Sequence, residues 1–211
     1  MSTLTVGTIA EKVTDAGVAV DGVTLKDGGA TFTSAITATD NTVDLGASST
    51  RFKDIYLSGG AFLGGTGSAN KLEDYEEGTF IPTATFATPP SGGRTAGKGQ
   101  YTKIGRLVTV HLRVENIDTT GASGDIEITG FPFTSTSDSG DGAVTAYQGT
   151  CRASAVNYAS SSYLIAEITD GNATARITEI TDNSGADVIN TGNISDGASD
   201  ILATISYTTA S

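Results

Sequence analysis

The chain has 211 residues, with 24 aspartates and glutamates against 12 lysines and arginines, which gives a formal net charge of −12. A surface this acidic binds nucleic acids and anionic membranes poorly, and Cys151, the one cysteine, excludes an intrachain disulfide and a zinc site of paired thiolates within one chain. No basic and apolar leader and no run of about 18 apolar residues is visible, so we expect neither a signal peptide nor membrane insertion. The 27 glycines and the absence of tryptophan favour a β-rich chain over an average enzyme.

Residues 1–67 contain small clusters of apolar side chains without helical periodicity. Alternation predicts very short strands at residues 18–20 and 23–25, each followed by an Asp-Gly pair suited to a tight turn. These residues include too few large apolar side chains to bury a core of their own. We therefore expect an attachment and shaft region that is stable only when several chains share one core.

Residues 68–78 are predicted to form a hinge or collar. Asn70 can cap a turn, and Glu73 and Asp74 would then lie in its first turn, where the helix dipole favours negative charge. Gly78 can end the turn because glycine accepts the left-handed conformation.

Residues 79–211 show the period of two that is typical of half-buried strands. Residues 108–114 alternate valine or leucine with polar side chains, and similar alternation covers residues 126–128, 164–168, 175–179 and 201–207. Turn-forming clusters separate these segments, at residues 89–93, 119–122, 137–142, 182–185 and 195–197. About eight strands at this spacing predict an antiparallel β-sandwich head of jelly-roll type with almost no helix.

Tyr147, Tyr158 and Tyr163, together with Arg152, form the one local concentration of tyrosines beside a serine-rich segment, residues 159–162. Tyrosine and serine dominate recognition loops because tyrosine offers contact area and a hydroxyl at small entropic cost. These four residues are the candidate receptor contacts. The alternative is that one or more of the rings packs in the sandwich.

Two further motifs have structural interpretations that we prefer to the functional ones. Residues 92–99 match the phosphate-binding pattern Gly-x4-Gly-Lys, but Gly99 stands where a magnesium-binding hydroxyl is needed, and a strand rather than a helix is predicted to follow. His111 is the sole histidine, and its alternation phase places it on the solvent side with Thr109 and Arg113. We expect a loop at the first motif and a solvated or interface side chain at the second.

Acidic residues cluster at residues 73–77, at 138 and 141, at 182 and 187, and at 196 and 200. Two carboxylates are enough for a glycosidase, so a small glycan depolymerase is an alternative function. Most of these acids lie in glycine-rich and serine-rich turns, where aspartate is expected for backbone reasons. Cys151 is predicted to be a buried small hydrophobe, and we predict no catalytic, cofactor or metal-binding residues.

Three segments resemble proteins of bacteriophage fibres. Residues 17–28, GVAVDGVTLKDG, resemble a run found in virion fibre proteins, and residues 44–60, DLGASSTRFKDIYLSGG, resemble an element common in phage tail fibres. Residues 72–82, LEDYEEGTFIP, followed by residues 99–110, GQYTKIGRLVTV, are similar to the opening of receptor-binding tip domains, in which residues 128–133 also have a counterpart. Phe80 stands where the tip pattern usually has tryptophan.

The resemblance implies a homotrimeric virion appendage and not an enzyme. Its N-terminal region would attach to other virion proteins of the tail or the capsid, and its distal head would bind a glycan or protein of the host surface. The expected location is the virion, assembled in the host cytoplasm. A capsid-borne head fibre or decoration protein is the structural alternative to a tail fibre.

Overall fold

The computed structural model describes residues 42–137, 146–182 and 185–210, together with Ala35, Ile36 and Ala38. The chain divides into two compact units, Met1–Ile55 and Tyr56–Ser211. The short strands predicted at residues 18–20 and 23–25 lie outside the described residues, so they stay predictions.

The regular secondary structure of the described chain is almost entirely β, as predicted. The two helices among the described residues are single 3-10 turns, Ser68–Asn70 and Thr191–Asn193. The strands are β1 Ala61–Phe62, β2 Lys71–Leu72, β3 Tyr75–Phe80, β4 Thr83–Thr85, β5 Thr95–Ala96, β6 Lys98–Ile104, β7 Leu107–Val114, β8 Glu127–Thr129, β9 Ala146–Ser154, β10 Tyr163–Thr169, β11 Ala175–Thr181, β12 Gly185–Val188 and β13 Asp200–Thr208.

The capped turn predicted to begin at Asn70 is wrong. Asn70 ends a 3-10 turn instead of starting a helix, and Gly78 lies inside β3, where it faces the ring of Tyr101. The reason is that β2 pairs with β1 and β3 pairs with β6. These ladders satisfy the backbone hydrogen bonds of the segment better than a short isolated turn could, since a helix nucleus is costly.

Apart from the small β1–β2 pair, the strands form one antiparallel sheet in the order β3-β6-β7-β13-β9-β10-β11-β8-β4-β5, with β12 beside β11. Two residues separate β3 from β4 along the chain, and only Gly97 separates β5 from β6, although these strands lie at opposite ends of that order. The sheet must therefore curl until its ends approach each other. The N–H of Gly97 donates to the carbonyl of Pro82 at 2.7 Å across this closure.

The curled sheet encloses one apolar core. Val108, Val110, Leu112 and Val114 of β7 are buried, as their alternation predicts. The inward residues of β13 face them in register, with Ile205 opposite Val110. Burying one such side chain contributes about 1.5–3 kcal/mol, so the alternating strands supply the main stabilisation of the sheet.

A single strand, β13, organises the centre of the sheet because it pairs with both β7 and β9. β9 approaches it closely at Gly149, where an added Cβ would lie 2.1 Å from the carbonyl oxygen of Thr204. Only glycine fits this position without a shift of backbone, which explains why a strand interior tolerates it.

One ion pair lies at the border of the core. Lys103 of β6 is buried, and its ammonium group pairs with the carboxylate of Asp74 and lies 5.6 Å from the centre of the Phe133 ring. A buried lysine requires such a partner, since removing an ammonium ion from water is costly.

Candidate functional site

The solvent side of the four strands β6, β7, β13 and β9 forms a continuous polar surface, which we call the outer face. Its side chains alternate with those that enter the core. They are Lys98, Gln100 and Thr102 of β6, Thr109, His111 and Arg113 of β7, Leu202, Thr204 and Ser206 of β13, and Gln148, Thr150 and Arg152 of β9.

Strand register arranges these side chains in rows. One row is neutral and hydrogen-bonding: Gln100 lies opposite His111, His111 opposite Thr204, and Thr204 opposite Thr150. The imidazole Nδ1 of His111 and the hydroxyl of Thr204 are 2.9 Å apart and form a hydrogen bond. His111 is exposed at the centre of the outer face, where it lines three adjoining shallow hollows.

The next row is basic. Lys98 lies directly opposite Arg113, Arg113 opposite Leu202, and Leu202 opposite Arg152. Arg113 forms an ion pair with Glu115, which directly follows the last residue of β7. Among the described residues, neither Lys98 nor Arg152 has a carboxylate within ion-pair distance.

One of the predicted receptor contacts, Arg152, lies on the outer face, and another, Tyr163, lies on the strand beside it. Arg152 is exposed on β9, and Tyr163, with 61% of its surface exposed, begins β10 next to it in the sheet order. Ile165 of β10 pairs with Thr150 of β9, so Tyr163 lies two residues beyond that pair, at the same end as Arg152. The structure therefore brings these two residues together.

Tyr158 lies in the loop between β9 and β10 and is 41% exposed. Glu179 holds this loop: its carboxylate accepts the hydroxyl of Ser162 at 2.5 Å and the N–H of Ala159 at 2.8 Å. These two donors, Ser162 first, lower the pKa of Glu179. The loop is thus fixed by a charged hydrogen bond, which keeps Tyr158 in a defined place.

Tyr147 lies elsewhere. It is the second residue of β9, at the end of the strand opposite the Tyr158 loop, and its half-buried ring points inward, 6.3 Å from the ring of Tyr207. Its hydroxyl forms hydrogen bonds with the hydroxyls of Thr136 at 2.7 Å and Thr208 at 2.6 Å. The structure therefore agrees with the alternative interpretation of Tyr147, in which its ring packs against the core.

Acids of the clusters at residues 73–77 and at residues 196 and 200 have local partners. Lys71 donates to Glu73 at 2.6 Å and lowers its pKa, and the hydroxyls of Tyr101 and Tyr75 donate to Glu76 and Glu77. The pKa of Asp196 is also lowered, first by the backbone N–H of Thr119. A glycosidase acid needs a raised pKa, which is the opposite direction. Residues 138 and 141 lie outside the described residues.

The remaining motifs take structural roles in the described chain. In the glycine-rich segment 92–99, residues 92–94 lie outside the strands as predicted for a loop, but residues 95–96 belong to β5 and residues 98–99 to β6, so the loop prediction is wrong for the second half; β6 and not a helix follows. Cys151 points toward the core and is partly buried, and burial raises the pKa of its thiol to about 12. Within the ranges that the structure describes, no three His, Cys, Asp or Glu side chains gather as metal ligands would.

A hollow of about 270 Å³ lies beside β2 and β3 and is lined by charged residues of both signs. These groups bind one another or the backbone: Lys71 pairs with Glu73, Asp74 with Lys103, and Arg106 donates to the carbonyl of Thr209 at 3.2 Å. The charged groups of this hollow are therefore engaged in contacts within the chain, which makes it a poor candidate for a ligand site.

Sequence analysis did not predict the basic row. Lys98 and Arg113 lie on the two strands of one hairpin, since two residues separate β6 from β7, whereas Arg152 belongs to β9. The row is completed by the register of β13 with β7 and with β9, which no local pattern encodes.

Neither of the short helices in the part of the chain that the structure describes is long and apolar enough to cross a membrane. Comparison with protein-family models, with curated proteins and with solved structures gave no match.

Proposed function

We propose that this chain is a bacteriophage virion protein, a short homotrimeric tail fibre whose distal β-sandwich head of jelly-roll type binds the surface of the host cell. Residues 1–67 attach the fibre and form its shaft, residues 68–78 form a collar, and residues 79–211 form the head. The resemblance of residues 44–60, 72–82 and 99–110 to phage fibre elements supports this proposal.

The observation that carries the proposal is the exposure of large apolar side chains ahead of the sheet. None of residues 42–81 is buried. In the first unit, Leu45 is 76% exposed and Phe52 58%, and in the second unit Tyr56 is 91% exposed and Phe62 54%. Single exposed apolar residues are ordinary, but a sequence in which nearly all of them are exposed is typical of a surface that other chains cover.

Copies of the same chain are the partners that fit best. A shaft that lacks its own core can be stable when equivalent apolar side chains of three chains meet around an axis. The exposed row at one end of the outer face, Tyr75, Ile104 and Leu107, lies in direct cross-strand register and adds further apolar surface for such contacts.

Adhesion then depends on three heads acting together. The hollows on the outer face are shallow, so each single site binds weakly, and three sites on one rigid fibre multiply the effective affinity. We propose three receptor contacts in the head, all of them exposed: Arg152 on β9, Tyr158 in the loop that follows, and Tyr163 on β10.

The test combines mass and binding. Native mass spectrometry over a dilution series should give three times the 21.3 kDa of one chain, and labelled protein should bind saturably to some strains of a bacterial panel, with heat-denatured protein as control. A stable monomer would overturn the trimeric fibre. A trimer that ignores cells but binds isolated capsids would indicate a decoration protein, and release of reducing sugar from surface polysaccharide would indicate a depolymerase.

A further inference from the structure

We infer that the outer face binds an acidic saccharide, with anionic groups of separate sugars of one chain on Lys98 and on Arg152 and with sugar hydroxyls on the neutral row. This inference rests on the proposed function, because it names the class of surface molecule that the head would take. The neutral row consists of Gln100, His111, Thr204 and Thr150.

Positive charge is concentrated in the basic row although the protein as a whole is acidic. The chain carries twice as many acids as bases, yet three bases lie in one row that crosses four neighbouring strands. Neighbouring strands are about 4.8 Å apart, so the row from Lys98 to Arg152 spans about 14 Å. A row of this length can face successive sugars of one chain.

The basic row lowers the stability of the sheet, because it places like charges beside each other. Lys98 and Arg113 are directly opposite each other, and like charges in that position destabilise a sheet. Glu115 compensates Arg113, but no described carboxylate compensates Lys98 or Arg152. Local rules are broken in this way mainly at functional sites, where a ligand supplies the missing charge.

The neutral row, which lies beside the basic row, carries groups that can bind sugar hydroxyls. The amide of Gln100, the imidazole of His111 and the hydroxyls of Thr204 and Thr150 are the donors and acceptors that sugar hydroxyls need. Arginine binds planar carboxylates, sulfates and phosphates with two parallel hydrogen bonds. Tyr163, at the same end as Arg152, adds an exposed ring on which the apolar face of a sugar can rest.

The charges around the row favour a saccharide over a nucleic acid. Glu115 and Asp200 flank one side of the row, and Glu77 and Glu167 lie on strands beyond the outer face. Asp200 is held by the N–H of Asn116 at 3.0 Å. These groups and the net charge repel a polyphosphate, whose backbone offers few hydroxyls to the neutral row. An acidic saccharide places its charged groups on the row, within a Debye length of about 8 Å, and its hydroxyls on the neutral row.

The experiment measures binding of full-length protein to alginate, a polyuronate, with neutral dextran and a single-stranded oligonucleotide as comparison probes. We expect salt-sensitive binding to alginate and little to the other two. The double variant Lys98→Gln/Arg152→Gln should lose roughly tenfold or more in affinity, since hydrogen bonds to charged groups are strong.

The matched control is Arg176→Gln, which removes one exposed arginine of β11 that pairs with Glu127 at 3.5 Å. It should bind alginate within about twofold of the unchanged protein, since it leaves the row intact. Circular dichroism should show both variants folded, with the double variant at least as stable as the unchanged protein because it loses a like-charge pair.

Equal binding of dextran and alginate, tighter binding of the oligonucleotide, or an unaffected double variant would each overturn the inference. The cell assay separates this failure from that of the proposed function. If the double variant still binds cells as well as the unchanged protein, the acidic saccharide is wrong and the adhesin stands. If the unchanged protein binds no cells at all, the proposed adhesion itself fails.

Discussion

Residues 42–81 and residues 82–210 contain similar kinds of apolar side chains but use them differently. The first segment has none of its residues buried, whereas every buried apolar residue of the described chain lies between Ala84 and Tyr207. The second segment pairs its strands across long stretches of chain. The first has the two-residue pair of β1 and β2 and one strand at the edge of the sheet, β3, which pairs with β6. Apolar content alone therefore does not make a core; the strands must also find partners that cover them.

The largest effect should separate the two segments by removing an apolar side chain from each. Ile205→Ala deletes a fully buried side chain of the central strand and should lower the free energy of unfolding by about 4 kcal/mol. Leu57→Ala changes an exposed side chain and should leave that free energy within about 0.5 kcal/mol, while lowering the trimer fraction. Urea unfolding and native mass spectrometry measure the two quantities. Equal losses of stability would contradict the comparison.

Glycine offers the second contrast. Gly149→Ala places a Cβ against the backbone of β13 and should cost about 3 kcal/mol. Gly59→Ala has open space around it and an ordinary backbone conformation, so it should change stability by less than about 0.5 kcal/mol. Thermal unfolding of both variants tests the pair, and a stable Gly149→Ala protein would mean that β9 and β13 are farther apart than described.

The third contrast compares inward and outward tyrosines of the head. Tyr147→Phe removes the hydroxyl that binds Thr136 and Thr208 and should cost about 1 kcal/mol. Tyr163→Ala removes an exposed ring and should cost almost nothing in stability. Binding to cells should respond in the opposite order, since the Tyr163 ring is on the proposed contact surface. Weaker adhesion of Tyr147→Phe with full adhesion of Tyr163→Ala would reverse our assignment.

The smallest effect concerns pH. The pKa of Glu179 in the folded chain lies below its ordinary value of 4.5, so its contribution to stability is fully present above about pH 4.5 and is lost as the pH falls through the folded pKa. Glu179→Gln should therefore have a lower Tm than the unchanged protein at pH 7, and the difference should shrink at pH 3. A difference that does not vary with pH would show that the charge of Glu179 does not hold the Tyr158 loop.

The alternation of residues 108–114 and 201–207 was enough to predict strands with the correct buried faces, because the side-chain period of a strand is a local property. The same reasoning placed His111 on the solvent side and Cys151 toward the core. It failed at residues 70–78, where local capping signals were weaker than pairing with β1 and β6. It also left Tyr147 open, since the inward residues that follow it, Gly149 and Cys151, are too small to reveal a face.

By itself the sequence determined that the described chain is all-β and where most of its strands and turns lie. Only the tertiary structure decided that one sheet curls until β3 and β4 meet across its ends, that Tyr147 points inward, and that Lys98, Arg113 and Arg152 form a row. The physical reason is that strand identity depends on neighbours along the chain. Strand order and register depend instead on contacts between residues far apart in sequence, which no local pattern encodes.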